Sequence, residues 1–188
     1  DIVQAPRSTG SILKPFLFAA MIENGSILPE SLVADIPTQI SGYKPENFDI
    51  SYDGAVPAKQ ALSRSLNIPS VLMLQEYGVQ NFYEDLQFLQ LKDINKLADH
   101  YGLSLILGGA ESSLIDLCTT YANLSSTLNY FSKSNGKYRT NEFSKVNYLK
   151  KQTVSYGKTT FQPNIYSAGS IWETYKAMKE VNRPEGDE

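Results

Sequence analysis

The sequence contains few of the residues that many kinds of functional site require. A single histidine, His100, argues against a histidine-based metal site and against a Ser-His-Asp triad. A single cysteine, Cys118, excludes an internal disulfide and carries no information on compartment. No run approaches the ~20 apolar residues of a membrane span, and a net charge of -3 provides no basic patch for nucleic acid. We therefore expect no metal, no cofactor and no nucleic-acid partner, and we expect Cys118 and the one tryptophan, Trp172, to pack inward.

The distribution of apolar residues predicts one mainly helical domain. Hydrophobic residues make up 41% of the 188 residues and charged residues 20%, as is usual for a globular domain with a buried core. Helical periodicity and proline or glycine breaks predict helices over 11–24, 57–65, 69–77, 79–90, 92–98, 112–128 and 167–181. Asn24-Gly25 is expected to end the first helix in a left-handed cap, and Ser113 to cap the sixth through Asp116. The polar stretch 129–164 is expected to be a hairpin or a mobile loop.

A serine and a lysine stand at the start of the most apolar predicted helix. In PRSTGSILKPFLFA, Ser11 and Lys14 are three residues apart, so a helix places both side chains on one face. A serine hydroxyl is a weak nucleophile unless a base lies within reach, and a buried lysine with a lowered pKa can be that base. The helix N-terminus also favours negative charge on the serine oxygen. The pair therefore indicates nucleophilic catalysis by Ser11 with Lys14 as base.

The same spacing occurs three more times, in places where catalysis is not expected. Each of these pairs contains a glycine and lies in a polar stretch with no helix to hold it: Ser41/Lys44, Ser134/Lys137 and Ser155/Lys158. Because serine and lysine are common, spacing alone leaves open that Ser11 is only a solvent-exposed helix cap.

A second pattern, Ser65-Leu66-Asn67, is the only Ser-x-Asn in the chain. A hydroxyl and a carboxamide two residues apart on a tight connection can face one cavity, where the hydroxyl relays a proton and the amide holds a peptide. The alternative is a helix end at which Asn67 is a cap. The two interpretations are compatible, since a functional loop often doubles as a turn between helices.

Three segments, PRSTGSILKPFLFA, ALSRSLNIPSV and YGLSLILGGAESSLIDLCTTYANL, resemble in order and spacing the transpeptidase domain of class A penicillin-binding proteins, most closely the 1C type. The resemblance covers much of residues 1 to 125. It implies the α/β fold shared by penicillin-binding transpeptidases and serine beta-lactamases. The chain would hold its helical subdomain, with most strands of the central sheet outside residues 1–188.

The resemblance also implies roles for the four residues. Ser11 matches the nucleophile that a D-Ala-D-Ala stem peptide acylates, and Lys14 the base that activates it. Ser65 matches the serine that passes a proton to the leaving amine, and Asn67 the amide that holds the peptide. Beta-lactams would acylate the same serine, and the backbone N–H of Ser11 would be one oxyanion donor.

One family motif, Lys-Thr/Ser-Gly, does not occur in the sequence. The nearest string, Lys158-Thr159-Thr160, lacks the glycine, and the family would place the motif shortly after residue 188. We therefore expect residues 1–188 to be a partial transpeptidase domain that is inactive by itself. The alternatives are a non-catalytic helical scaffold and a serine beta-lactamase-like hydrolase. The second is disfavoured because Ile115 stands where a Glu-x-x-Leu-Asn motif needs asparagine.

Partners and location are implied by the same resemblance. The stem peptide and beta-lactams would be ligands of the site. The protein would act on the extracytoplasmic, periplasmic side of the bacterial inner membrane, anchored through a segment that this chain does not contain. The truncated chain is expected to be able to self-associate over its uncovered sheet-facing surface.

Overall fold

The computed structural model describes residues 1–40, 42–143 and 155–181. The helices in these ranges are α1 Lys14–Glu23, α2 Ala58–Ser63, α3 Asn67–Tyr77, α4 Val79–Phe88, α5 Ala98–Tyr101, a 3₁₀ helix Gly102–Leu107, α6 Leu114–Lys133 and α7 Ala168–Lys179. The strands are β1 Arg7–Ser8, β2 Leu32–Asp35, β3 Gly54–Pro57, β4 Glu111–Ser112, β5 Tyr138–Arg139 and β6 Thr159–Thr160. They form three antiparallel pairs, β1 with β4, β2 with β3 and β5 with β6. The predicted helix-rich chain with few strands is confirmed.

Helix α1 forms the centre of the core. Every residue from Lys14 to Met21 is buried, and the helix contacts α2, α3, α4 and α7. A helix surrounded in this way has no polar face, as its sequence predicts. Gly25, with φ 78°, follows its last turn in the left-handed conformation expected there.

The first helix begins three residues later than predicted. Ser11 to Leu13 form a turn, in which the Lys14 N–H donates to the Ser11 carbonyl at 3.1 Å. The reason is Pro15, which has no N–H and cannot supply the i+4 bond that a helix beginning at Ser11 would need. Ser11 therefore precedes α1, and Lys14 is its first residue.

The predicted helix over 92–98 is wrong, because the polar groups of this segment bond outside any helix, one of them to a residue distant in sequence. The Asp93 carboxylate accepts from the Ser113 N–H at 3.0 Å, and the Lys96 N–H donates to the Tyr101 hydroxyl at 3.1 Å. The next helix begins only at Ala98. Local periodicity does not report a partner such as Ser113, which is 20 residues from Asp93.

The two single residues expected in the core lie outside it. Helix α6 turns Leu117, Thr120, Leu124 and Thr127 inward, which leaves Cys118 exposed. On α7 the inward side is formed by small or short residues, Ala168, Ile171, Thr174 and Ala177, and Trp172 is 58% exposed. The expected cap of α6 is confirmed, since the Ser113 hydroxyl accepts from the Asp116 N–H at 3.2 Å.

The turn that carries Ser11 is held against a glycine pair that precedes β4. The Ser8 hydroxyl donates to the Gly108 carbonyl at 2.8 Å, and the Thr9 N–H donates to the Ala110 carbonyl at 3.0 Å. A Cβ on Gly108 would lie 2.9 Å from the Gly10 Cα. This close approach of two backbone segments fixes the entry to α1.

No helix in the described ranges has both the length and the apolar character needed to cross a bilayer. Within the polar stretch after α6, β5 and β6 pair, while residues 144–154 lie outside the described residues. The assignment of 129–164 to a hairpin or a mobile loop stays a prediction, as does the single partial domain.

Candidate active site

Ser11 is exposed at the mouth of a pocket of about 330 Å³. Lys14, Ser65 and Tyr121 line the same pocket. Neither the hydroxyl nor the backbone N–H of Ser11 makes a hydrogen bond to any residue that the structure describes. Both groups are therefore available to a molecule in the pocket, the hydroxyl to react and the N–H to donate.

The Lys14 ammonium is surrounded by oxygen atoms of the segment between α2 and α3. Its Nζ lies 2.7 Å from the Ser65 carbonyl oxygen, 2.8 Å from Asn67 Oδ1, 3.2 Å from Ser65 Oγ and 3.3 Å from the Leu66 carbonyl oxygen. Three of the four predicted site residues are thus joined through one nitrogen, although 51 residues of sequence separate Lys14 from Ser65. Although Ser11 and Lys14 are predicted to share one helix face, no hydrogen bond joins their side chains among the contacts of the described residues.

Burial changes the acid–base character of this lysine. Lys14 is 3% exposed, and desolvation of its charged form lowers its pKa from 10.5 to about 8. At neutral pH roughly a tenth of the amine is unprotonated, far more than for a lysine in water. A group that is both partly neutral and close to a hydroxyl can act as a general base.

Ser65 occupies a backbone position that usually belongs to glycine. Its φ is 54°, in the left-handed region. Its N–H donates to the Leu62 carbonyl and the Leu66 N–H donates to the Ala61 carbonyl, both at 2.9 Å. These two bonds are those of a Schellman cap, in which the left-handed residue just after the helix is most often glycine. A serine here accepts backbone strain and places a hydroxyl beside Lys14, an arrangement common at functional sites.

This strain gives a stability test. We expect Ser65→Gly to be more stable than Ser65→Ala by about 1 kcal/mol, because alanine keeps the Cβ penalty at positive φ and glycine does not. Urea unfolding of the two variants measures the difference. Ser26 is an exposed residue just after α1 whose φ is not positive. There, Ser26→Gly should be no more stable than Ser26→Ala. An alanine variant as stable as the glycine variant at position 65 would contradict the strain.

Asn67 is the first residue of α3, and its side chain is fully oriented by its neighbours. Its Oδ1 accepts from Lys14 Nζ at 2.8 Å, and its Nδ2 donates to the Glu46 carbonyl at 2.8 Å. An ammonium can only donate and a carbonyl can only accept, so the amide has one orientation. Asn67 is half-buried beneath the Lys14 side chain.

The other serine–lysine pairs lie elsewhere. Ser134 ends α6, where its hydroxyl donates to the Lys137 carbonyl at 2.9 Å, and Ser155 is exposed in the polar stretch. Neither of them lines the pocket. Ser41 lies outside the described residues. Among the pairs whose two residues the structure describes, only the one at the start of α1 combines burial of the lysine with an accessible serine.

The site includes a residue of α6 that sequence reasoning missed. The Tyr121 hydroxyl donates to the Ile12 carbonyl at 2.8 Å, and its ring packs on Phe16 with centroids 4.7 Å apart. Burial raises the pKa of this hydroxyl, so it stays protonated and keeps donating. Tyr121 thereby holds the turn between Ser11 and Lys14, but no local spacing marks it, because its partner lies 109 residues away.

Within the described ranges, no group of three or more His, Cys, Asp or Glu side chains is placed to hold a metal ion. The chemistry available to the site is that of a hydroxyl, an amine and an amide. Such a set supports acyl transfer through a serine nucleophile.

Comparisons with known proteins give consistent results. A model of the penicillin binding protein transpeptidase domain matches residues 1–116. The chain is 40% identical over 121 residues to penicillin-binding protein 1C of Escherichia coli strain K12, a match that covers 64% of this chain and 16% of that protein. It is 33% identical over 116 residues to penicillin-binding protein 1F of Bacillus subtilis strain 168, covering 61% of this chain and 16% of that protein. The chain thus spans about a sixth of the length of these relatives.

A solved structure has the same fold. The PonA1 protein from Mycobacterium tuberculosis in complex with penicillin V superposes with a TM-score of 0.72 at 20% identity, over 96% of this chain and 49% of that one.

Proposed function

We propose, from the premise that this chain belongs to the penicillin-binding protein transpeptidase family, that it carries the acylation site of a peptidoglycan D,D-transpeptidase. Its fold is the mainly helical part of that domain. The observation that carries the proposal is the Lys14 ammonium, buried between Ser65 and Asn67 in the pocket that Ser11 lines. The stem peptide ending in D-Ala-D-Ala is the proposed substrate.

The first step is attack by Ser11 Oγ on the carbonyl carbon between the two D-Ala residues. Neutral Lys14 takes the hydroxyl proton. The neutral amine keeps two N–H groups, enough for its two shortest bonds, to the Ser65 carbonyl and Asn67 Oδ1. Its lone pair is then free for the proton of Ser11. The Ser11 N–H donates to the oxyanion that forms on the carbonyl oxygen.

The second step breaks the peptide bond and releases the last D-Ala. Its nitrogen needs a proton, and the Ser65 hydroxyl, 3.2 Å from Lys14 Nζ, passes one from the lysine to the amine. An amine of a neighbouring stem peptide then attacks the carbonyl carbon of the ester on Ser11. The bond from this carbon to Ser11 Oγ breaks, the proton lost by the amine passes through Lys14 to Ser11 Oγ, and the new amide is the cross-link. A beta-lactam enters the same sequence, but its leaving nitrogen stays attached, so the ester on Ser11 persists.

The proposal is tested on the protein encoded by the whole gene, called below the whole gene product. It is incubated with a fluorescent penicillin, digested, and the labelled peptide is located by mass spectrometry. Stoichiometric labelling at Ser11 supports acyl transfer. A folded whole gene product that remains unlabelled, or is labelled elsewhere, favours the non-catalytic scaffold.

The lowered pKa of Lys14 predicts how acylation depends on pH. The base is the neutral amine, whose fraction rises as pH rises through about 8. We therefore expect the acylation rate to increase almost tenfold per pH unit from 6 to 7 and to level off above about 8. Stopped-flow acylation by a beta-lactam that does not titrate in this range measures it. A rate that is flat between pH 6 and 8, in a protein whose thermal unfolding is unchanged, would exclude Lys14 as the base.

The location of the site follows from the proposed substrate. Peptidoglycan lies outside the cytoplasm, so we place the site on the periplasmic side of the bacterial inner membrane, with an anchor supplied by a segment other than this chain. Self-association of the chain stays a prediction.

A further inference from the structure

We propose that Asn47 is a positioning residue of the acylation site, which fixes Asn67 and through it the Lys14 amine. The inference rests on the proposed function. Asn47 lies in the loop between β2 and β3, does not line the pocket, and is not among the hydrogen-bond partners of Lys14. Its action is indirect, through hydrogen bonds to the first residues of α3.

Asn47 is 3% exposed and uses every hydrogen-bonding position of its side chain. Its Nδ2 donates to Asp35 Oδ1 at 2.7 Å and to the Ser51 carbonyl at 2.9 Å. Its Oδ1 accepts from the Asn67 N–H at 3.0 Å and from the Ile68 N–H at 3.3 Å. A buried amide with two donors and two acceptor sites all occupied holds its partners in a single arrangement.

The Asp35 carboxylate sets the orientation of this amide. Asp35 is 1% exposed, and its second oxygen accepts from the Asp53 N–H at 3.0 Å. A carboxylate only accepts, so the Asn47 NH₂ must face it and the Asn47 oxygen must face α3. The direction of the chain of bonds is therefore fixed from Asp35 through Asn47 to the N–H of Asn67.

The β2–β3 loop accepts two hydrogen bonds from Asn67. Asn47 holds its backbone N–H, and the neighbouring Glu46 carbonyl holds its side-chain NH₂ at 2.8 Å. With these two contacts in place, Asn67 Oδ1 accepts from Lys14 Nζ at 2.8 Å. Displacing the loop would release Asn67 and, with it, the second-shortest contact of the lysine.

The first N–H groups of α3 are capped by a residue distant in sequence and not by the residue just before the helix. The residue before the helix is Leu66, which provides no side-chain cap and is itself buried. A serine or aspartate at that position could accept from the Ile68 N–H, but the Asn67 N–H would still need a partner from elsewhere. Capping instead comes from a residue 20 positions earlier, which ties the β2–β3 loop to the site. This long-range cap is the feature that a purely local helix end would lack.

The test compares variants of the whole gene product by the first-order rate constant of acylation per folded molecule. Asn47→Ala is expected to lower this constant by about 10- to 100-fold, the range seen when hydrogen-bond partners that orient metal ligands are removed. The matched control is Tyr77→Phe. Tyr77 is the last residue of α3, and the change removes the 2.6 Å hydrogen bond from its hydroxyl to Asp85 of α4. It is expected to lower thermal stability while keeping the rate constant within about twofold.

A charge exchange covers the case in which Asn47→Ala does not fold. Asn47→Asp sets two carboxylates against each other, and adding Asp35→Asn restores one amide and one carboxylate at the same contact. The double variant is expected to be acylated at least about tenfold faster than Asn47→Asp alone. A folded Asn47→Ala that acylates within twofold of wild type overturns the proposal, as does a folded double variant without recovery. An equal rate loss in Tyr77→Phe at equal stability also overturns it.

Amide hydrogen exchange separates this inference from the proposed function. If the wild-type protein is not labelled by penicillin, the transpeptidase proposal fails by itself. Exchange of the Asn67 and Ile68 amides still reports the network, since both donate to Asn47. Faster exchange of these two amides in Asn47→Ala, with the rest of α3 unchanged, supports the positioning contact, and unchanged exchange overturns it.

Discussion

Replacing Ser11 by alanine is expected to abolish covalent labelling of the whole gene product by a fluorescent penicillin. Replacing Lys14 by methionine is expected to slow labelling by about 10²–10⁴-fold. The first change removes the atom that forms the ester. The second keeps the length of a buried side chain but removes the amine that contacts Ser65 and Asn67. Without that amine, the pocket lining that the structure describes holds no other base for the Ser11 proton at neutral pH.

The methionine variant links this result to the pH profile. If Lys14 is the base, the rise in acylation rate toward pH 8 should disappear together with most of the rate. Thermal unfolding identifies variants that fold, and Ser155→Ala, at another Ser-x-x-Lys, should label like wild type. Labelling of Ser11→Ala at full stoichiometry, or a wild-type rate in Lys14→Met, would refute the assigned roles.

The sequence was sufficient for those parts of the fold that depend on local chemistry. Helix α1 is apolar all round, and Gly25 and Ser113 end and begin helices with the expected backbone or cap. These are properties of residues close together in the chain. The prediction of a helix over 92–98 failed because Asp93 bonds to Ser113, 20 residues away, which the local pattern does not show. The prediction that Trp172 packs inward failed because the inward side of α7 is made of smaller residues.

The site shows the same division. Spacing and context selected Ser11, Lys14, Ser65 and Asn67, and the structure brings the last three into one hydrogen-bonded group. Spacing could not show that the lysine bonds to the α2–α3 connection and not to Ser11. Nor could it find Asn47, whose partners lie 12 and 20 residues away in a loop with no periodicity. Long-range hydrogen bonds between irregular segments leave no signal in a single sequence.

Residues 1–188 alone are expected to be acylated far more slowly than a whole gene product that carries Lys-Thr/Ser-Gly. Ser11, Lys14 and Ser65 can prepare the nucleophile, and the Ser11 N–H is one oxyanion donor. The sequence contains no Lys-Thr/Ser-Gly. The family resemblance implies that a strand carrying this motif borders the cleft, supplies the second oxyanion donor and binds the substrate carboxylate. Loss of one such donor typically costs about 10²–10³ in rate. Loss of the strand that binds the substrate carboxylate is expected to weaken ground-state binding as well.

The comparison uses both proteins at the same concentration with one fluorescent penicillin, followed by intact-mass measurement over time. Circular dichroism establishes that residues 1–188 are folded before labelling. The acylation rate at saturating penicillin should be lower because the oxyanion is stabilised less. The penicillin concentration needed for saturation should be higher because the carboxylate is bound less tightly. Rapid stoichiometric acylation of residues 1–188 would show instead that one oxyanion donor and the Lys14 base suffice. In that case the pocket between α1 and the α2–α3 connection would be the whole of the acylation machinery.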